Sequence, residues 1–346
     1  MTDLRVAAIQ MDAQVGVVEV NLAHAAPLVE QAAEQGAQLI VLPELFSTGY
    51  EYTDRNYSLI EPLDGLTGTW IAETAQRLDV HLVGSFPAWI DGKTHIVATL
   101  AAPDGRQWIY KKIHVAMWEN CYFDRGGKPV IADTKLGRIG LLICWDEIYA
   151  DLARAYRGRV DLLCIPSSPP TFVGTLEDGE GNVLARIDNL SVFGRAMDVV
   201  DWFQQAQVAH ARNAGVPVVY AARCGTFHSP IPFGAWLLLA QGSRDALHVL
   251  RTAGARYRLR CPMMGRSCIL NAAGERIAGA GQDGEAVLVA TVEAGAPGLA
   301  GAPDLAAMPP PPSGVALIAG IPRYPFWFDG WMITLGPWYG RRHAPR

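Results

Sequence analysis

Arg138-Ile-Gly-Leu-Leu-Ile-Cys-Trp-Asp-Glu-Ile-Tyr-Ala-Asp-Leu-Ala-Arg154 decides how the rest of the chain is read. Gly140 to Ile143 is a short apolar run of the kind that forms a buried strand. Asp146 and Glu147 then open a segment with helical spacing, with Ile148, Leu152 and Ala153 on one side and Asp151 and Arg154 on the other. Cys144 therefore falls at a strand-to-helix turn. Acidic residues in a first turn complement the positive end of a helix, and a thiol at that end is expected to have a depressed pKa, as a nucleophile needs. Taken alone, Cys144 is more readily read as a buried core cysteine, since free cysteine is among the most buried residue types.

Two further stretches carry chemistry. Leu39-Ile-Val-Leu-Pro-Glu-Leu-Phe-Ser-Thr-Gly-Tyr50 is an apolar strand that ends at Pro43-Glu44 and turns at Gly49. Glu44 is either a helix-opening acid or a general base whose pKa is raised by apolar surroundings. Tyr110-Lys-Lys-Ile-His-Val115 holds a lysine pair flanked by Trp108, Ile109, Ile113 and Val115, so one lysine can point inward although such pairs usually face water. Trp118-Glu-Asn-Cys-Tyr-Phe-Asp-Arg-Gly-Gly127 follows.

In order and spacing these pieces resemble the nitrilase, or carbon–nitrogen hydrolase, superfamily. The matching residues are Pro43-Glu44 with Gly49-Tyr50, Lys112-x-His114, Glu119 four before Phe123, and Gly140-x-x-Ile143-Cys144-Trp145-Asp146 with Arg154 behind. The resemblance covers most of residues 4–165, resumes at about 202–225 and returns at about 265–293. It implies an α/β fold built as a four-layer α-β-β-α sandwich. It also implies Cys144 as nucleophile, Glu44 as general base, Lys112 as oxyanion stabiliser helped by the backbone N–H of Trp145, and Glu119 as the glutamate that positions base or substrate. Tyr50, Trp145 and Ser168 are the expected substrate-binding residues. The implied reaction is hydrolysis of a small amide or N-carbamoyl amine through a Cys144 thioester. Nitrile hydrolysis, acyl transfer from the same thioester, and a catalytically silent binding protein are the alternatives. Cys144-Trp145-Asp146 favours the amidase and N-carbamoyl branches, because true nitrilases generally carry glutamate after the tryptophan. A Cys-His protease is the other nucleophilic reading, with His114 as partner, but no papain-like or caspase-like signature surrounds Cys144.

Composition sets the frame. With 346 residues, half of them hydrophobic and 18% charged, the chain has the make-up of a soluble globular protein with a large core. A net charge of −5 gives no basic footprint for nucleic acid. No apolar run reaches transmembrane length, and Met1 to Gln10 lacks a signal peptide's basic and long apolar regions. Six cysteines without a C-x-x-C pair and eight histidines without an H-E-x-x-H arrangement argue against zinc and against a disulfide framework. The expectation is a cytoplasmic protein that needs no metal or cofactor and takes a small-molecule substrate, with no nucleic-acid or membrane partner. The resemblance adds a homodimer or larger homo-oligomer.

Along the chain, Leu4 to Gln10 reads as a strand. Asn21 is expected to cap a helix through about Glu34 that contains Pro27. Strand Gln38 to Leu42, helix Thr67 to Leu78 and strand Val80 to Gly84 continue the α/β alternation. Ile96 to Ala101 and Trp108 to Lys112 flank Pro103-Asp104-Gly105 as a hairpin. Val160 to Ile165 is a strand ending in Pro166-Ser167-Ser168-Pro169-Pro170, with Pro169 where the family often has tryptophan in its pocket wall. Residues 1–300 are expected to form the hydrolase domain, with insertions at about 171–201 and 226–264, and 301–346 a Pro-rich linker and aromatic tail. Ala185 to Ala214 reads as helix, broken near Gly194, and Trp202 to Asn213 and Val216 to Cys224 as the next helix–strand unit. The second insertion carries Arg244, Arg251, Arg256, Arg258 and Arg260, either a solvated face or a surface for an acidic substrate. The aromatic tail, from Tyr324 to Tyr339, is expected to dock on the chain's own body or on a second subunit.

Overall fold

A computed structural model describes residues 2–187, 190–192, 195–197, 199–231, 257–295 and 327–343. Gly194, Arg244, Arg251, Arg256 and the Pro-rich linker lie outside the described residues. The first half is strand β1 (Thr2–Gln10), helix α1 (Val18–Glu34), β2 (Leu39–Val41), a short α2 (Asn56–Leu59), β3 (Glu61–Pro62), α3 (Leu66–Leu78), β4 (His81–Ile90), β5 (Lys93–Ala101) and β6 (Gln107–Lys111). A 3-10 turn (Met117–Cys121), β7 (Ile131–Thr134), β8 (Gly137–Leu141), a second 3-10 turn (Cys144–Ile148), α4 (Ala150–Tyr156) and β9 (Leu162–Ser167) follow. Then come β10 (Gly174–Glu177), β11 (Val183–Ile187), β12 (Leu190–Val192), β13 (Arg195–Met197), α5 (Val199–Ala214) and β14 (Val218–Ala222). The chain closes with β15 (Thr226–Pro230), β16 (Arg258–Pro262), β17 (Cys268–Leu270), β18 (Arg276–Gly279), β19 (Ala286–Ala294) and helix α6 (Trp327–His343).

Two mixed sheets form the centre. One runs β19-β1-β2-β4-β5-β6 with β3 beside β4, the other β18-β17-β14-β9-β8-β7. Period-two alternation sends successive side chains to opposite faces, and both faces are apolar here. On β1, Val6 and Ala8 enter the core between the sheets, whereas Ala7 and Ile9 pack with Leu22, Ala25 and Val29 of α1 and Ile71 of α3. Helices α4 and α5 cover the second sheet on its far side. The result is the four-layer α-β-β-α sandwich. β1 pairs parallel with β2, and β9 parallel with both β8 and β14, so the strands that matter most deliver their carboxyl ends to one edge of the sandwich.

Several expectations are corrected. The helix expected from Asn21 starts at Val18, and Asn21 works from inside it: its side chain accepts from Gln14 N–H and donates to the Gln14 and Ser47 carbonyls, each within 2.8 Å. Pro27 is held within that helix. The helix expected over Ala185 to Ala214 begins only at Val199. Val183 to Ile187 is instead a strand, because β10 offers it an antiparallel edge. The two segments expected as insertions pair there: β10 lies beside β16, giving a four-stranded sheet β11-β10-β16-β15. Within it Arg260 forms an ion pair with Glu177 at 2.9 Å, and Arg258 donates to the His228 carbonyl at 3.3 Å. The described part of the tail, α6, packs on the chain's own first 3-10 turn. None of the described helices is long and apolar enough to cross a membrane.

Candidate active site

The site forms where the strands end. β2 runs into Leu42-Pro43-Glu44, β6 into Lys112, β8 into Cys144 and β9 into Ser167-Ser168. Open α/β sheets bind ligands at the carboxyl ends of their strands, where loops diverge and backbone groups are free to point outward. The Glu44 N–H donates to the Ser167 carbonyl and the Ser168 hydroxyl to the Glu44 carbonyl, at 3.4 and 2.5 Å, which ties the two sheets together beneath the site. Lys112 is fixed through its backbone, donating to Ile96 O at 2.9 Å and accepting from Gly126 N–H at 2.7 Å.

Lys112 Nζ lies 2.7 Å from Glu44 Oε1 and 2.7 and 3.0 Å from the two oxygens of Glu119. Glu44 and Lys112 have no solvent exposure, and Glu119 and Cys144 almost none. Glu119 also accepts the Tyr50 hydroxyl at 2.6 Å and the Ala116 N–H at 2.8 Å. Its carboxylate is therefore saturated, whereas Glu44 Oε2 is buried with no hydrogen bond of ordinary geometry. The nearby Cys144 thiol nonetheless draws the Glu44 pKa downward.

The electrostatics follow from burial. Loss of water pushes the Glu44 carboxyl up to about 7; Lys112 opposes this and Glu119 reinforces it. Burial depresses the Lys112 ammonium, but Glu119, Glu44 and Cys144 together reverse the sign and hold it well above its usual range. For Cys144 the expectation of a lowered pKa is overturned. Burial, then the Glu44 charge, raise the thiol well above its ordinary value, and Lys112 only partly compensates. The element after Cys144 is a five-residue 3-10 turn rather than a helix with an open N-terminus, so the helix-end field that would favour a thiolate is missing. In the resting site the proton belongs on sulfur, and it must be taken by a base when the thiol reacts.

Cys144 itself has φ +46°, a left-handed conformation that a non-glycine residue adopts only when its surroundings enforce it. Asp146, expected as a first-turn acid of a helix, holds the residue before Cys144. It is wholly buried and accepts Tyr110 O–H at 2.7 Å, His114 N–H at 2.7 Å and Ile143 N–H at 3.1 Å. Glu147 is buried as well, beside Gln207. Asp146→Ala leaves three donors without their acceptor, each costing about 1–3 kcal/mol when buried. A loss of at least about 3 kcal/mol is expected in denaturant unfolding.

His114 stacks on Tyr149 with ring centroids 3.6 Å apart and puts Nε2 3.0 Å from Asp151. The charged neighbours of Cys144 are Glu44, Lys112 and Glu119, so the Cys-His reading finds no support. The expected substrate-binding residues have other engagements. Tyr50 holds Glu119 and also meets the Tyr52 hydroxyl at 2.9 Å; Ser168 holds the Glu44 backbone; and the Trp145 ring packs edge-on against Trp202 at 5.8 Å. Sequence reasoning missed Tyr52, whose ring packs on Trp118 at 5.2 Å and on Phe227 of β15 at 5.6 Å. Its only signal is the Tyr50-x-Tyr52 repeat. Ser167, whose hydroxyl lowers the Cys144 pKa, was also missed, hidden beside Ser168.

The fold and this site define a protein with a cysteine set against a buried acid–lysine–acid cluster. A family model described as carbon-nitrogen hydrolase matches residues 5–297, and the chain belongs to that family. Among curated relatives, a nitrilase of Pyrococcus abyssi is 30% identical over 48% of this chain and 65% of its own length. A chloroplastic omega-amidase of Arabidopsis thaliana is 29% identical over 45% of this chain and 47% of its own. A deaminated glutathione amidase of Synechocystis is 32% identical over 49% and 67%. The chain thus spans about half to two thirds of the relatives it matches. Among solved structures, a carbon-nitrogen hydrolase from Helicobacter pylori has a TM-score of 0.62 at 23% identity, covering 84% of this chain and 89% of that one. An amidase from Nesterenkonia, solved with acrylamide added at its active-site cysteine, gives 0.58 at 21%, covering 83% and 92%. At such identities these structures speak for the fold.

Proposed function

We propose that this protein hydrolyses a small non-peptide amide through a thioester on Cys144, releasing ammonia or an amine. The observation that carries this reading is the Lys112 ammonium, bonded to Glu44 and Glu119 and buried with them beside the Cys144 thiol. Two of the three relatives above are named amidases, which supports reading amides ahead of N-carbamoyl amines and nitriles.

In this mechanism Glu44 takes the proton of Cys144 Sγ as the sulfur attacks the substrate carbonyl carbon. The carbonyl π-electrons move to oxygen, and Lys112 Nζ and the Trp145 N–H stabilise the oxyanion. Protonated Glu44 then gives its proton to the leaving nitrogen as the C–N bond breaks. Water, deprotonated by Glu44, attacks the thioester. The acid is released as the proton returns to sulfur. Glu119 keeps Lys112 charged and aimed, and a base near 7 suits both directions of transfer.

Two outcomes follow. Glu44→Gln lowers kcat/KM by about 10²–10⁴-fold, the usual contribution of a general base. In the wild-type protein Glu44 acts as base only when ionised, so kcat/KM falls tenfold per pH unit on the acid side, with an apparent pKa of about 7. A pH profile that is flat down to pH 5 contradicts the Glu44 assignment. The reaction class is tested by ammonia release from a panel of amides, N-carbamoyl amines, N-carbamoyl amino acids and nitriles. Turnover of the amides supports the proposal, and turnover of nitriles alone replaces it with the nitrilase reading.

A further inference from the structure

The C-terminal helix rests on the turn that carries Glu119, and it does so through glycine. A Cβ at Gly336 would stand 2.3 Å from the Asn120 carbonyl oxygen, and one at Gly340 2.8 Å from that of Cys121. Residues four apart share one face of a helix, so the two glycines form a single flat track on α6. Beside it Tyr339 sets its ring edge-on to Tyr122 at 6.0 Å and donates its hydroxyl to Asp54 at 3.1 Å. His343 Nδ1 reaches the other Asp54 oxygen at 3.2 Å, and Met332 is fully buried. The Tyr57 hydroxyl, 3.4 Å from where a Gly340 Cβ would stand, donates to the Cys121 carbonyl at 2.9 Å. A cleft of about 520 Å³, lined in part by Tyr57, Trp89, Asn120, Cys121, Pro337 and Gly340, opens along one side of this contact.

The residues under that track, Asn120 and Cys121, lie one and two after Glu119, whose carboxylate sits between Lys112, Tyr50 and the Ala116 N–H. We propose that Gly336 and Gly340 of α6 are positioning residues for Glu119: their seating on Asn120 and Cys121 sets where the Glu119 carboxylate meets Lys112. The proposal rests on the roles given above to Glu44, Lys112 and Glu119. A side chain on the track lifts the helix or pushes the turn. An ångström of misplacement around a reacting centre can cost about 100-fold. It also changes charge. Glu119 raises the Glu44 pKa, so moving Glu119 away leaves Lys112 closer to Glu44's sole control and makes Glu44 a weaker base.

The test uses full-length Gly336→Val, the milder Gly340→Ala, and Thr334→Val on the exposed side of the same helix as a control. Two quantities are measured against pH: kcat/KM on an amide turned over by the wild-type protein, and the rate of iodoacetamide labelling of Cys144, read by peptide mass. Gly336→Val is expected to lower kcat/KM at least about tenfold and to move the acid limb of both profiles below that of the wild type. Gly340→Ala shifts them the same way by less, and Thr334→Val leaves both unchanged. The clamp is overturned if both glycine variants keep the wild-type limb, whether or not their activity or melting temperature falls. It is equally overturned if Thr334→Val shifts the limb as far. Cys144 labelling in Glu44→Gln that follows the wild-type pH profile instead removes the functional reading beneath it.

Discussion

Cys144→Ala abolishes ammonia release on every substrate that the wild-type protein turns over. Removing a covalent nucleophile from a site of this kind costs on the order of 10⁶-fold in kcat, because the residual oxyanion and base groups have no attacking atom to serve. The change is small in volume, Cys144 already carries a left-handed φ, and Asp146, which holds the residue before it, stays in place. The variant is therefore expected to fold with a stability within about 1 kcal/mol of wild type, checked by urea unfolding. Retained turnover in a folded Cys144→Ala protein removes the thioester mechanism. An inactive, well-folded variant that still binds the amide is the expected result.

Lys112→Met is the second large effect, and it acts twice. The ammonium is the one described cation bonded to both Glu44 and Glu119, at 2.7 Å from each. Without it the oxyanion loses a donor, worth about 10²–10³-fold. At the same time two buried carboxyls are left facing each other, and like charges so placed cannot both ionise. The acid limb of any remaining activity is expected to move up from about 7, since Lys112 is what holds the Glu44 pKa down. The two losses compound to more than about 10³-fold, and breaking the buried ion pairs costs about 3–5 kcal/mol of stability. Lys111→Met, at the half-buried neighbouring position, is the control and leaves kcat/KM within a few-fold. Equal losses in the two variants contradict the assignment of Lys112.

The residues of the candidate site were legible because each of three sits where a strand stops. An apolar run followed by Glu44, Lys112 or Cys144 is a local pattern, and the family resemblance carried by their order and spacing grouped the three with Glu119. What a linear reading could not give was the state of the groups around them. Asp146 and Glu147 look like the acids of a first helical turn. Only the packing of Tyr110, His114 and Gln207 against them shows that they are interior groups holding a 3-10 turn. The thiol pKa was misjudged for the same reason. A helix N-terminus is visible in sequence, whereas a buried carboxylate a hundred residues earlier in the chain is not. The helix expected from Ala185 failed because Val183 to Ile187 finds its partner in β10, and β10 finds its other partner in β16, more than eighty residues on. Pairing at that separation leaves no local trace, and the same holds for the docking of Gly336 on Asn120.

The most direct test of the central claim is the mass of the protein itself, taken after rapid acid quenching during turnover of an amide and again with Glu44→Gln. The account predicts an adduct equal to the acyl group, mapped to the peptide that contains Cys144, absent from Cys144→Ala and reduced in Glu44→Gln. An amide that releases ammonia while Cys144 carries no acyl group at any quench time would contradict it.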